Sequence, residues 1–281
     1  MKTKRYTILL LLFAALWIQS CSKVEEPYLT YKNVLIDTTA HRSVLLEDYT
    51  GMRCPNCPPA TLIGEGLQDL YKGQVFMIQV HAGFYADTSK TPGSIWKTDY
   101  KSQAGTRWYT DFKCPQNPMG LINRANFDSK FWIGSDQWAD AVAYQAGLTK
   151  PAILSISNKV VTSGEDAQLT TRVQGKFLHK MTGSYNVCVL ILEDSLISPQ
   201  QDGATIDTNH LFMNLLRGSM NGDYGELVIS HPDSLSLFTS PSYTTTLNRK
   251  WKVKNLSVLA FLMNPVTYEV VQVAKKPLIQ H

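Results

Sequence analysis

Ser43-Val44-Leu45-Leu46-Glu47-Asp48-Tyr49 and, after four residues, Cys54-Pro55-Asn56-Cys57 form the stretch on which the fold turns. The first segment is an apolar run of strand length. The second opens a helix expected from about Pro55 to Tyr71, with Leu62, Ile63, Leu67 and Leu70 marking its apolar face. Two cysteines two residues apart at a helix mouth can close a small disulfide and reopen it, because the helix N-terminus stabilises the attacking thiolate. Such a pair can instead be half of a zinc site or a structural staple. Zinc usually wants a second pair at similar spacing, and Cys114 and Cys188 each stand without a cysteine or histidine at ligand distance. A strand before the pair and a helix after it, inside an α/β pattern, is the setting of redox chemistry.

In that chemistry Cys54 is the nucleophile, its thiol lowered from about 8.5 toward roughly 3.5–7.5 by the helix N-terminus. Cys57, one turn inward, resolves the mixed disulfide. Pro55 suits a first helical turn, whereas Pro58 and Pro59 fall where a proline costs a hydrogen bond and can kink the helix. Proximity favours a Cys54–Cys57 disulfide. Cys114 and Cys188 are then either a cross-domain pair or two buried free thiols, with free thiols favoured.

Outward from the pair, strand and helix alternate. Val75 to Val80, apolar but for Gln79, is a strand of the parallel-sheet kind, and Ile95 to Phe112 is a helical or irregular insert rich in Trp96, Tyr100, Trp108 and Tyr109. Those aromatics either pack the insert on the sheet, the simpler reading, or line a groove for peptide or glycan. Leu121 to Asn123 is a short strand, and Asp136 to Leu148 a helix with Trp138, Val142 and Tyr144 facing inward. His81 ends the second strand, where a polar cap is the simpler reading and tuning of the cysteines or metal binding the sharper one. From Lys150 the texture changes to period-two alternation. Strands are expected over 152–157, 168–173, 185–192, 211–216, 243–247, 256–263 and 266–273, with a turn at Asn264-Pro265. The fold class read from this pattern is an α/β domain followed by an all-β, immunoglobulin-like sandwich.

Asp48, six residues before Cys54, stands where thioredoxins carry a buried acid that takes a proton from the resolving cysteine. Asn117-Pro118 looks like their loop whose cis-proline faces the pair and binds substrate backbone. The α/β part therefore resembles thioredoxin, and the resemblance implies roles for Cys54, Cys57, Asp48 and Pro118 as the catalytic set. Asp48-Tyr49-Thr50-Gly51 before the cysteines, Pro118-Met119-Gly120-Leu121-Ile122-Asn123-Arg124, and His210-Leu211-Phe212-Met213-Asn214-Leu215-Leu216-Arg217 narrow it further. With Gly222, Gly225-Glu226 and the 256–273 hairpin, they resemble the outer membrane protein family named for a mass of twenty-eight kilodaltons. These are Gram-negative envelope lipoproteins with a thioredoxin-like N-terminal part, and the likeness spans nearly the whole chain after the signal.

Lys2, Lys4 and Arg5 precede an apolar run from Ile8 to Ile18, long enough for an export signal and short of the ~20 residues of a spanning helix. Ile18-Gln19-Ser20-Cys21 resembles a lipobox, which makes Cys21 the lipidated first residue of the mature chain, with palmitate among its acyl groups. The organisation expected is a signal at 1–20, a lipidated tether at 21–42, a thioredoxin-like domain at 43–149 and a β-sandwich at 150–281. Without the signal, three of the 27 basic residues are lost and 24 face 23 acidic ones, so the charge gives no argument for nucleic acid. Phosphate loops, serine nucleophile motifs and usefully spaced carboxylate pairs are absent from the sequence, and the pair needs no cofactor beyond its own cysteines.

Two functions follow as expectations for a protein lipid-anchored in the cell outer membrane, facing the periplasm or the surface. One is thiol–disulfide exchange with the thiols and disulfides of exported proteins. The other is non-catalytic binding or adhesion to an extracellular ligand, with Cys54–Cys57 a permanent staple.

Overall fold

The computed structural model describes residues 41–279, so Cys21, the signal and nearly all of the tether lie outside the described residues. Val44–Thr50 forms β1, buried along its whole length, and Val75–His81 forms β2, paired to it in parallel from Val44↔Val75 to Thr50↔His81. The connecting helix α1, Cys57–Leu70, supplies the crossover that parallel pairing requires. Gln103–Asp111 is α2, Met119–Ile122 is β3, antiparallel to β1, and Trp138–Gly147 is α3.

The second half is strand after strand: β4 Ala152–Ser163, β5 Asp166–Phe177, β6 Ser184–Glu193, β7 Leu196–Asp202, β8 Thr205–Phe212, β9 Leu215–Ser219 and β10 Glu226–Ser230. It continues with β11 Leu237–Thr239, β12 Tyr243–Thr246, β13 Leu256–Met263 and β14 Val270–Pro277. The chain is mostly β-sheet. One eight-stranded sheet, in the order β14-β13-β6-β9-β2-β1-β3 with β10 on β6, runs without a break across residue 150. The change of texture there marks where helices stop, while the sheet continues. β4, β5, β11 and β12 form a separate four-stranded sheet, and β7 with β8 a two-stranded one.

Alternation sorts the core. Val44 and Leu46 of β1, with Val75 and Met77, meet α1 and α3 through Ala60, Leu67, Trp138 and Val142. On the same face of the sheet, farther along, Val187, Val189, Val258 and Ala260 meet Leu169, Val173 and Phe177 of the four-stranded sheet. The opposite face gathers residues from both halves, including Leu45, Ile78, Trp108, Leu190 and Phe261. The sheet curls over that cluster far enough for the backbone N–H of Val270, opening β14, to donate to the carbonyl of Asn123, just past β3, at 2.8 Å.

The helices differ from expectation in which face they bury. α1 buries Cys57, Ala60, Thr61, Gly64 and Leu67 and leaves Leu62, Ile63 and Leu70 exposed. A Cβ at Gly64 would lie 2.8 Å from the Met77 sulfur, so at that turn the helix lies too close to the sheet for a side chain. Tyr144 is likewise exposed, while Trp138 and Val142 are buried as expected. Pro58 and Pro59 cause no kink: the helix begins at Cys57, which puts both in the first turn, where N–H groups have no partner inside the helix.

Candidate functional site around the Cys54–Cys57 disulfide

β1 ends at Thr50 and the chain turns at Gly51, where a Cβ would sit 2.5 Å from the Tyr85 backbone carbon, so no larger residue fits. Arg53 N–H donates to the Tyr85 carbonyl at 3.0 Å and Cys54 N–H to the Gly51 carbonyl at 2.9 Å, which fixes the approach to the pair. Cys54 and Cys57 are joined in a disulfide with their Cα atoms 5.4 Å apart. Both residues are only 1 % exposed.

The cover comes from the second half. Gln201 and Gly203 of the β7–β8 hairpin donate backbone N–H groups to the carbonyls of Met52 and Pro55, each at 2.8 Å. The buried Gln200 side chain donates to the Cys54 carbonyl at 3.1 Å and the Gly51 carbonyl at 3.4 Å. Sequence reasoning missed this hairpin. Ser198-Pro199-Gln200-Gln201-Asp202-Gly203 carries no apolar alternation, and only Asp202-Gly203 hinted at a turn.

Asp48 lies beneath α1 and is fully buried. Its Oδ2 accepts a hydrogen bond from Thr61 Oγ1 at 2.7 Å, and Thr61 sits one turn past Cys57 on the buried face of the helix. Among the described residues Oδ1 has no partner, and neither does Oε1 of Gln79, the residue paired with Asp48 on β2. Burial raises the Asp48 carboxyl to about 7; Thr61 opposes the shift and Glu65 adds to it. Thr61 and Gln79 are further residues of the site that the sequence alone did not single out.

Asn117-Pro118 is a cis peptide bond, and Pro118 is half-buried. Asn117 Nδ2 holds the loop by donating to the carbonyls of Thr50 at 2.9 Å and Ala82 at 3.2 Å, at the ends of β1 and β2. The loop leads into β3, where Met119 pairs with Tyr49 and Gly120 with Asp48. Pro118 and the cysteine turn thus sit at the same end of the sheet.

His81 is buried, with neither ring nitrogen partnered among the described residues, edge-on to Tyr100 at 5.5 Å and Phe212 at 5.3 Å between ring centres. Burial, with His210 and Arg217 nearby, lowers it to about 3, so it is a neutral core histidine. Among the described residues no cluster of three or more His, Cys, Asp or Glu side chains is placed to hold a metal. Trp108 and Tyr100 are buried and Trp96 packs beside Tyr100, so the insert packs onto the body as the simpler reading had it. Cys114 and Cys188 are free thiols; burial raises each to about 12.

The family profile described as outer membrane protein Omp28 matches residues 106–280, a stretch that begins after the cysteine pair. No curated protein matches. Among solved structures, HBP35 of Porphyromonas gingivalis is similar with a TM-score of 0.60 and 19% identity, over 85% of this chain and 76% of its own, which shows a shared fold. A domain of the outer membrane lipoprotein Omp28 from Porphyromonas gingivalis aligns over 43% of this chain and 84% of its own at 23% identity, with a TM-score of 0.29. Among the described residues no helix is long and apolar enough to cross a membrane. The profile takes in more than half of the sequence, and the chain belongs to the Omp28 family of outer membrane proteins.

Proposed function

We propose that this outer membrane protein is held by lipid on Cys21 and exchanges disulfides with exported proteins through a thioredoxin-like N-terminal part. The observation that carries the reading is Asp48, buried under the helix the cysteine pair opens and bonded to Thr61 one turn from Cys57. A carboxyl raised to about 7 can hold or release a proton near neutral pH, which is what a resolving thiol needs. The parallel β1–β2 pair, the antiparallel β3 and the placement of the Pro118 loop at the cysteine end of the sheet support the thioredoxin-like reading.

In one turnover a partner thiolate attacks Cys54 Sγ and the Cys54–Cys57 bond breaks. Cys57 leaves as a thiolate and takes up a proton, with Asp48 as its source. A second partner thiolate then attacks the partner sulfur of the mixed disulfide and releases Cys54. Two electrons pass to the pair, and the partner leaves with a disulfide; the reverse direction follows the same steps. Pro118 orients the partner backbone. The test is a titration against glutathione buffers with alkylation of the reduced pair. A potential above about −300 mV, together with mixed disulfides trapped by Cys57→Ala, supports exchange, and one well below that value overturns it. Loss of radiolabelled palmitate in Cys21→Ala checks the anchor.

One observation favours a second reading. Cys54 is 1 % exposed, as a permanent staple would be, and in that case the β-sandwich part carries a recognition surface for an extracellular ligand.

A further inference from the structure

The β7–β8 hairpin is fastened to the cysteine turn in an uneven way. Its base is apolar: Leu196 and Phe212 pack with Met52, Tyr100 and Leu215. Its outer half is held differently. From Gln201 to Asn209 every residue is exposed or half-exposed, and Gln200 is the one buried residue just before them. What holds that half down is the set of polar bonds from Gln200, Gln201 and Gly203 to the carbonyls of Gly51, Met52, Cys54 and Pro55. Among the described residues the two strands pair with each other and with no other strand. A lone two-stranded hairpin is marginal in water, and segments with few buried apolar contacts open at the low end of the free-energy range. Each carbonyl released can be rehydrated, so the net loss per bond is small.

The geometry points to a detachable cover: we infer that the tip of β7–β8 lifts from its apolar base to expose Cys54–Cys57. A partner that reaches the disulfide does so with an extended segment whose own backbone N–H groups, two residues apart, replace those of Gln201 and Gly203. The occupied carbonyls of Met52 and Pro55 are then the docking edge, and the hairpin is its resident strand. The partner clause rests on the exchange reading above; the cover itself does not.

Access is measured directly with a phosphine reductant, which breaks the S–S bond, is itself oxidised to the phosphine oxide with oxygen from water, and needs no redox partner. The full chain and its Gly203→Pro variant are treated with the phosphine in native buffer, quenched with iodoacetamide and read by mass at Cys54 and Cys57. Gly203 has φ +54° and donates its N–H to Pro55, so proline there removes the donor and the turn geometry together. The expected result is reduction at least tenfold faster in Gly203→Pro than in the natural chain, with both faster than global unfolding followed by tryptophan fluorescence. If Gly203→Pro does not fold, Gln200→Ala, which removes only the side-chain donors, is expected to speed reduction threefold or more. Equal rates in variant and natural chain, or reduction that proceeds only at the rate of global unfolding, overturn the cover. Because no potential or trapped complex enters this measurement, its failure is distinct from failure of the exchange reading.

Discussion

Asp48 and His81 lie on one face of the sheet, both fully buried, and they push the pH dependence of stability in opposite directions. Asp48 is raised from 3.8 to about 7, so the folded state keeps a proton that the unfolded chain has released. Its contribution is fully present below about pH 4 and is lost as pH rises through 7. Asp48 Oδ1 and Gln79 Oε1, at paired positions on neighbouring strands, have no donor among the described residues. His81 is lowered from 6.5 to about 3, so the unfolded chain takes up a proton that the folded state refuses. Its contribution is present above about pH 6.5 and is lost as pH falls toward 3. Between about pH 4 and 6.5 the two slopes oppose each other, each up to about 1.4 kcal/mol per pH unit. Asp48→Asn, which keeps an acceptor for Thr61, is expected to bare the histidine slope, with stability falling on acidification across that window. His81→Leu is expected to bare the opposite slope. Urea unfolding at pH 4.5, 5.5 and 6.5 reads both, and parallel pH profiles in the two variants would refute the opposition. Elsewhere, the raised thiols of Cys114 and Cys188 leave little thiolate at pH 8, so iodoacetamide is expected to label neither in the folded protein within minutes.

Elements meet through glycines that the sequence names without explaining. At Gly120, in β3, a Cβ would fall 2.3 Å from the indole nitrogen of Trp138, a rigid side chain opening α3 whose N–H donates to the Ile133 carbonyl. Gly120→Ala must therefore shift α3 or the strand carrying the Pro118 loop, at a cost of about 2–3 kcal/mol. Gly66, on the open side of α1, meets nothing within 4 Å among the described residues, so Gly66→Ala is expected to stabilise the helix by about 0.5–1 kcal/mol. Denaturant midpoints of the two variants should move in opposite directions, and a neutral Gly120→Ala would show that the α3 seam is loose. The strand–cysteine–helix order was legible because it rests on local pattern. The burial of Asp48 and the cis bond before Pro118 were expected only from the resemblance to thioredoxin, and their roles belong to the proposal above. The buried face of α1 was not legible, because it depends on how closely the helix approaches Met77. The strand expected over 211–216 is two strands, broken at Asn214, whose φ of +54° was invisible in an apolar run. That over 266–273 begins later, at Val270, since the residues before it complete the turn. The hairpin over the cysteines escaped notice because backbone bonds hold its tip.

Across the whole molecule, a buried ion pair at the thiol end of the shared sheet reaches the β-rich end through its arginine. Glu47 of β1 receives two bonds from Arg124, at 2.9 and 2.7 Å, and neither side chain is exposed. Burial alone would lower the Arg124 pKa, but Glu47 overrides it and keeps the guanidinium charged. That cation stacks on Trp108 of α2 and Phe261 of β13, at 4.4 and 5.2 Å from the ring centres, so one residue touches both halves. Removing either partner strands the other charge in the core, and Glu47→Leu or Arg124→Met is expected to cost about 3–5 kcal/mol. The double variant leaves no charge behind and should recover most of that loss, a coupling that a double-mutant cycle in urea measures directly. Because Arg124, held by Glu47, also stacks on Phe261 of β13, each single variant should lower the far-ultraviolet and tryptophan-fluorescence midpoints together. If instead the two probes separate, with Trp108 and Trp138 reporting an earlier loss than the strands, the halves fold as distinct units and the shared sheet does not couple them.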